Sequence, residues 1–476
     1  MAPGGEHPLE PSVGDMEDMA ARASALLIEH IASLPDMPAS DLDGVDELVA
    51  ALREPAPEQG APFASLLQQV GEGATRGFNT PGPGYLAYVP GGGLWAAAVA
   101  DYLATALNRY VGVWNAAPVF VQMEWQAIRW MCELFGYPPE SSGILTSGGS
   151  LSNFSAIVAA RRSLLGDDLT GGIVYVTGQT HASVLKAAVL AGIPAANVRA
   201  IEPDSLLRMS PATLREAVEA DRAAGRRPFL VVASAGTTNT GAVDPIAAVA
   251  DVAAKERLWL HVDAAYGGFF QLTERGRAAF AGVERADSVA LDPHKGMFLP
   301  YGTGCLIVRE GRRLREAHDV HHADYLQDLA AAEDTPNFSE LSPELSRDFR
   351  GLRVWLPIKL HGLAAFREAL DEKLDLARAL FEGIRDAPGI VIPWEPELSV
   401  VAFRLEPPSA TATEAEAATR ELLERINASK RVFLSSTMIG GRMLLRACIV
   451  SHRTHRDRID EAVRIIREAA ASIVGR

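Results

Sequence analysis

The chain has 476 residues, 48% of them hydrophobic, a formal net charge of −15 and a pI near 5.3. That length and apolar content allow two or three packed units, and the acidic balance excludes a surface built to hold nucleic acid. Its three cysteines, Cys132, Cys305 and Cys448, share no CxxC spacing, which argues against a disulfide framework or a structural zinc site.

The polar start, Met1-Ala-Pro-Gly-Gly-Glu-His, lacks a basic patch followed by an apolar run, so no signal peptide is expected. Helical periodicity then runs from Asp15 to Leu34 (Met19, Ala23, Leu26, Leu27, Ile31) and stops at Pro35. Short helical patches follow near Val45–Leu52 and Phe63–Gly71. This leader is too thin in apolar residues to fold alone and is expected to pack on the body or on a partner subunit. Thr80 to Gly93 is dense in turn residues and holds Tyr85, Tyr88 and Pro90; it reads equally as a connection or as a ligand wall. A helical region covers Leu94–Phe135 with a break near Asn115–Pro118. Asp101 interrupts its most apolar stretch, so no membrane span is expected and a cytoplasmic protein is the default.

From about residue 140 to 310, β-rich runs alternate with Ala-rich helical ones. The runs are Gly172–Thr177, Val198–Ile201, Phe229–Ala233, Leu258–Val262, Ser288–Leu291 and Gly304–Val308. Apolar strands separated by helices indicate an α/β fold, a mostly parallel sheet covered on both faces. Residues 311–350 read as a long polar loop with limited helix. Phe349–Asp386 reads as one long helix or a pair broken near Pro357. The end gives strands at Leu398–Leu405, Val432–Ser436 and Arg442–Val450 and helices at Thr413–Ile426 and Arg456–Ala471, a small α+β unit.

In an open parallel sheet, ligands sit beyond the carboxyl ends of the strands. Five features fall there. Thr146-Ser-Gly-Gly-Ser-Leu-Ser-Asn153 opens a helix, where glycines and free N–H groups suit an anion, although an ordinary capped helix has the same look. His181 follows one strand and Gly236-Thr-Thr238 another; Asp263 closes Leu-His-Val-Asp, and Lys295 closes Asp292-Pro-His-Lys. A lysine at the end of a buried strand must be paired, neutral or covalently bound, and a carboxylate there wants a cation or a strong donor. His321/His322 and His452/His455 lack acidic or cysteine partners at ligand spacing, so no metal site is expected. Together, an anion-suited loop, a histidine, an aspartate and a lysine suit pyridoxal 5′-phosphate, which has a phosphate, a stackable ring, a pyridine nitrogen and an aldehyde.

These residues resemble those of the pyridoxal-phosphate-dependent group II amino-acid decarboxylases, the aromatic-L-amino-acid, histidine and glutamate decarboxylases. The resemblance runs from about residue 80 to 450 and is carried by His-Val-Asp-Ala-Ala-Tyr (261–266) and Pro-His-Lys (293–295). Gly-Gly-Ser (148–150), Gln-Thr-His-Ala-Ser-Val (179–184) and Phe-Arg-Gly-Leu-Arg-Val-Trp (349–355) support it. It implies an aspartate-aminotransferase-like fold of type I: a large domain with a mostly parallel seven-stranded sheet and a small α+β C-terminal domain. The expected units are a leader at 1–85, a cofactor-binding domain at 86–385 and a small domain at 386–476, in a homodimer whose leader packs on the partner. Lys295 would bind the cofactor aldehyde and Asp263 the ring nitrogen. His181 would stack on one ring face and Ala265 on the other. Gly149, Ser150 and His294 would surround the phosphate, with Thr238 near the cofactor. Tyr88 and Pro90 would help form the substrate wall, and Arg350 matches an arginine beside a mobile loop.

Two departures stand out. Many members have Asn-Pro-His-Lys where this chain has Asp292, and a carboxylate beside a phosphate repels it, so Asp292 is not read as a phosphate ligand. Counting back from Phe349 places Phe338 where many aromatic decarboxylases carry a proton-donating loop tyrosine; phenylalanine has no proton to give, and Tyr325 or His181 are the other acids available. The expected reaction is decarboxylation of an L-amino acid, with an aromatic substrate implied by the resemblance and by Tyr85, Tyr88 and Trp114. Phe338 raises an alternative, decarboxylation with oxidative deamination to an aldehyde. Another lyase or aminotransferase on the same fold is a further alternative.

Overall fold

Valine, isoleucine and leucine runs form the strands because branched side chains pack well on a pleated surface closed on both sides. The computed structural model describes residue 7, residues 9–318 and residues 335–475. The leader holds α1 (Val13–Ser33), β1 (Ser40–Asp41), α2 (Val45–Ala51), α3 (Phe63–Ala74) and β2 (Gly77–Phe78), with β1 and β2 paired antiparallel. A capping box between Ser12 and Asp15 starts α1. None of the three leader helices has a buried residue, and Val13, Met16, Leu27, Ile28, Leu66 and Val70 are exposed.

Helices α4 (Trp95–Leu107) and α5 (Pro118–Leu134) follow. The expected single break is wider than the sequence suggests: Asn108 takes a left-handed φ of 46° and ends α4 well before Pro118 restarts the chain as a helix. The central part then runs β3 (Ser142–Thr146), α6 (Gly149–Leu164), β4 (Gly172–Thr177), α7 (Ala182–Leu190), β5 (Val198–Ile201), α8 (Pro211–Ala223), β6 (Arg227–Ser234), α9 (Ile246–Glu256), β7 (Trp259–Ala264), α10 (Glu274–Ala279), β8 (Ser288–Leu291), the single turn α11 (Pro293–Gly296), β9 (Gly304–Val308) and α12 (Gly311–His318). Seven strands form one sheet in the order β3-β9-β8-β7-β6-β4-β5. The five from β8 to β5 are mutually parallel, and β9 is antiparallel to both neighbours. Every residue of β3, β4, β7, β8 and β9 is buried, as a sheet covered on both faces requires. This is the expected fold of type I.

Strand β3 is not legible as a strand, because Ser-Gly-Ile-Leu-Thr offers only two large apolar residues; pairing with β9 along its length, Ser142 with Val308 through Thr146 with Gly304, decides it. Residues 311–350 hold α12 and α13 (Phe338–Leu341) in addition to loop. Helix α14 (Gly351–Ile384) passes through Pro357 and kinks instead at Gly362, whose φ of 72° suits glycine. The C-terminal unit is an antiparallel sheet, order β10-β11-β13-β12, from β10 (Ile390–Val391), β11 (Val400–Leu405), β12 (Ser435–Ile439) and β13 (Arg442–Cys448), with α15 (Ala412–Ala428) and α16 (Arg456–Val474) against it. Two apolar clusters result. The larger surrounds the seven-stranded sheet, and the smaller draws on Leu376–Ile384 of α14, Leu86, α15, α16 and the small sheet.

Candidate active site

The parallel strands end together, and their carboxyl ends open onto a cavity of about 410 Å³. Gly149 and Ser150 reach it from the start of α6, His181 from the start of α7, Thr238 from the loop after β6, Asp263 and Ala265 from the end of β7, and His294 and Lys295 from the turn after β8. Eight residues expected around one cofactor from five separate sequence segments therefore line one cavity.

Asp263 is 8% exposed. Its Oδ2 accepts from Asn153 Nδ2 at 3.0 Å and its Oδ1 from the Ala265 N–H at 3.2 Å. No ion pair of Asp263 occurs among the described residues, so a buried carboxylate held only by neutral donors faces the cavity. That arrangement suits a cationic ring nitrogen. Lys295 Nζ lies 2.9 Å from Asp292 Oδ2. Burial pulls its ammonium down, but the Asp292 carboxylate, by charge and hydrogen bond, and Asp263 behind it outweigh that and raise its pKa above the ordinary lysine value.

At the far side, Gly148 and Gly149 open α6, whose first-turn N–H groups have no intrahelical acceptors. A Cβ at Gly149 would come within 3.0 Å of Ala265 Cβ and 3.1 Å of Asp292 Oδ2, so only glycine lets the backbone approach this closely. His294 donates from Nδ1 to the Thr303 carbonyl at 2.7 Å, and burial lowers its pKa, leaving Nε2 as the unprotonated nitrogen. An anion cradle, a carboxylate without a cation and a lysine at the ends of adjoining strands fit the phosphate, ring nitrogen and aldehyde of pyridoxal 5′-phosphate.

His181 is the N-cap of α7: its Nδ1 accepts from the Ser183 N–H at 3.2 Å and pairs with Ser183 Oγ at 2.8 Å. The ring's proton is therefore on Nε2, away from the helix. Behind Asp263 lies a buried relay that sequence reasoning missed. Trp259 Nε1 donates to Ser288 Oγ at 2.8 Å, and Ser288 Oγ pairs with His261 Nδ1 at 2.8 Å. His261 Nε2 pairs with Asn153 Oδ1 at 2.9 Å, and Asn153 Nδ2 bonds both Asp263 and Ser183 Oγ, each at 3.0 Å. Burial lowers the His261 pKa to about 4, so this histidine is neutral and donates from Nε2. One signal was available: Trp259, His261 and Asp263 alternate with Leu260 and Val262, which puts all three on one face of β7. Asp292, Ser234, Thr237 and Tyr266 also line the cavity.

Four expected site residues do not line it. Tyr88 is 56% exposed at a φ of 51°. Pro90 is buried in the same loop, where the Gly91 N–H bonds Tyr301 Oη at 3.2 Å beside the lysine turn. Arg350 is buried with both guanidinium nitrogens on Glu344, at 2.7 and 2.9 Å, and a third contact to Asp348 at 2.8 Å. It fixes the segment preceding α14 rather than facing the cavity. Phe338, which starts α13, is fully buried, 4.9 Å under the Arg347 guanidinium and beside Trp125. Tyr325, His321 and His322 lie outside the described residues. Arg347 itself forms a buried ion pair with Glu124 at 2.6 Å. Trp114 lines a separate surface hollow with Pro118 and Trp355, and Tyr85 packs on Phe433; neither borders the cavity.

Comparison with known proteins agrees with this geometry. Residues 46–406 match the family described as the pyridoxal-dependent decarboxylase conserved domain. The chain is 34% identical to an aromatic-L-amino-acid decarboxylase of Bacillus atrophaeus over 94% of this chain and 93% of the other. It is 29% identical to a phenylacetaldehyde synthase of Arabidopsis thaliana over 82% of each. The structure of Oryza sativa TDC with PLP and tryptamine superposes with a TM-score of 0.92 at 29% identity, covering 99% of this chain and all of that one.

Proposed function

The chain belongs to the pyridoxal-dependent decarboxylases, and we propose that it converts an aromatic L-amino acid to its amine and CO2. The observation that carries the reading is the convergence of Lys295, Asp263, His181 and the Gly149–Ser150 helix start on one cavity. The aromatic class is supported by the relatives, since Tyr85 and Trp114 stand away from the cavity. Pyridoxal 5′-phosphate, when bound, supplies an aldehyde for an amine and a conjugated ring that accepts the electron pair left on Cα as CO2 departs.

In this reading Lys295 Nζ would hold the cofactor through its aldehyde. Asp263 keeps a proton on the ring nitrogen, aided by the Asn153 and Ala265 donors that favour its ionised form. Ala265 and His181 would flank the ring, and Gly149, Ser150 and His294 would hold the phosphate with Thr238 nearby. His181, with its proton on Nε2, is the described group placed to return a proton to Cα. Gly91, next to Pro90, borders the lysine turn, and Arg350 anchors the chain that leads into α14.

We propose a cytoplasmic homodimer built of the leader 1–85, a cofactor-binding domain 86–385 and a small domain 386–476. The exposed apolar face of the leader supports a second copy as its cover. Three free buried cysteines support a reducing compartment. No described helix is long and apolar enough to cross a membrane.

The test is incubation of the cofactor-loaded enzyme with a panel of L-amino acids. Stoichiometric amine and CO2 support the reading. Aldehyde, ammonia and peroxide would favour the synthase alternative, which a relative at 29% identity keeps open. Consumption of a keto acid without CO2 would favour an aminotransferase. Borohydride should fix the cofactor on Lys295, and Lys295→Ala should abolish both fixation and turnover.

A further inference from the structure

The cavity is poor in positive charge for a site that takes a phosphate. Among the described residues that line it, Lys295 is the one lysine or arginine, against two carboxylates, Asp263 and Asp292. Asp292 is 2% exposed. Its Oδ2 lies 2.9 Å from Lys295 Nζ and 3.7 Å from His294 Nε2. Its Oδ1 is buried with no hydrogen-bond partner. The carboxyl faces the start of α6: a Cβ at Gly148 would lie 4.0 Å from Oδ1 and one at Gly149 3.1 Å from Oδ2. An unpartnered, buried oxygen is thus aimed at the helix N-terminus proposed above for the phosphate.

The groups facing Asp292 from other elements offer no further cation in contact. From its own turn come Lys295 and His294, whose Nδ1 is spent on Thr303. Asp263 reaches Lys295 from β7, and the Cys305 thiol of β9 and the Cys448 thiol of β13 are both held neutral by burial. Arg353 of α14 is engaged with Asp101 and the carbonyl of Gly302. Tyr301 donates no charge and bonds the Gly91 N–H. A phosphate dianion brought against an ionised Asp292 would meet direct like-charge repulsion at low dielectric.

Resting on the cofactor reading above, we infer that Asp292 is a proton-uptake site for phosphate docking. Its carboxyl takes one proton from solvent on Oδ1, going from −1 to neutral, and donates that O–H to a phosphate oxygen. The proton offsets one unit of the incoming charge and satisfies the orphan oxygen. Affinity for the phosphate therefore falls as pH rises, towards tenfold per pH unit while one proton is taken up, roughly the slope that linkage requires. An asparagine in its place would donate from Nδ2 without needing the proton.

The experiment titrates the cofactor-free full chain with pyridoxamine 5′-phosphate, which carries the phosphate but no aldehyde to react with Lys295. Calorimetry at pH 7.5 in two buffers of different ionisation enthalpy counts protons taken up. The wild-type chain should take up about one proton more than Asp292→Asn, the ring's own ionisation cancelling in the difference. Between pH 7 and 8.5 the dissociation constant should rise about tenfold more for wild type than for the variant. Absence of proton uptake by the wild type overturns the inference even if the variant does not fold. Equal uptake by both overturns it too, because His294 would then hold the proton. If pyridoxamine 5′-phosphate binds neither protein and borohydride fixes no pyridoxal 5′-phosphate on Lys295, the cofactor-site reading fails as well. Fixation on Lys295 with pH-independent binding refutes the Asp292 assignment alone.

Discussion

Replacing Asn153 by leucine removes one of the two donors on the Asp263 carboxylate, the donor to Ser183 and the acceptor of His261, while keeping the branched heavy-atom skeleton. A hydrogen bond to a charged group contributes about 1.5–3 kcal/mol. Its loss weakens the hold on the ionised form of Asp263. The acid limb of the pH profile of kcat/KM should move up, and kcat at pH 6.5 should fall about 10- to 100-fold with little change in KM. The fully buried His261 is also left with an unsatisfied N–H, at a further cost of about 1–3 kcal/mol in folding stability. Steady-state CO2 release from pH 5.5 to 9, with urea denaturation on the same preparations, separates the two effects. Ser183→Ala is the comparison: it cuts the branch to His181 but leaves Asp263 its donors, so its acid limb should stay in place. An Asn153→Leu enzyme with an unmoved acid limb, or an equal displacement in Ser183→Ala, would refute the assignment of Asn153 as a positioning residue for Asp263.

Three further outcomes follow from the burial map. Phe338→Tyr should leave the ratio of amine to aldehyde unchanged and destabilise the protein by about 1–3 kcal/mol, because its hydroxyl enters the core beside Trp125; product analysis and denaturation test both halves. Arg347→Met strands Glu124, which is fully buried, and should cost about 3–5 kcal/mol at pH 8. Burial already raises the Glu124 pKa against the pull of Arg347, and a carboxyl whose folded pKa is raised gains stability as pH falls. The variant's deficit should therefore shrink between pH 8 and 5, which melting curves across that range will measure. Burial, with Arg453 adding to it, lowers the His452 pKa to about 3, so its contribution is complete above the unfolded histidine value and is lost as pH falls toward 3. His452→Gln should flatten the loss of melting temperature between pH 6.5 and 4; an unchanged slope would show that His452 does not titrate on unfolding.

Local sequence determined a good deal. Branched apolar runs set six of the seven sheet strands, and the rule that ligands bind beyond strand ends picked out Asp263, Lys295, His181 and the Gly149–Ser150 helix start, because position at a strand end is itself a local property. Strand β3 escaped because its evidence is the pairing with β9, some 160 residues away in the chain. The burial of Phe338 has the same origin: phenylalanine suits a loop tip or a core equally, and Arg347 and Trp125 closing over it put it in the core. Asn153 reads as one polar residue in a helix until the fold sets it against Asp263, 110 positions on, and against His261. Asp292 looked unfit for a phosphate site as a bare charge, and its orphan oxygen beside α6 is visible only once two segments meet. Spacing along the chain carries periodicity and caps, which act within a few residues, whereas hydrogen-bond satisfaction and burial of charge depend on neighbours that the tertiary structure alone supplies.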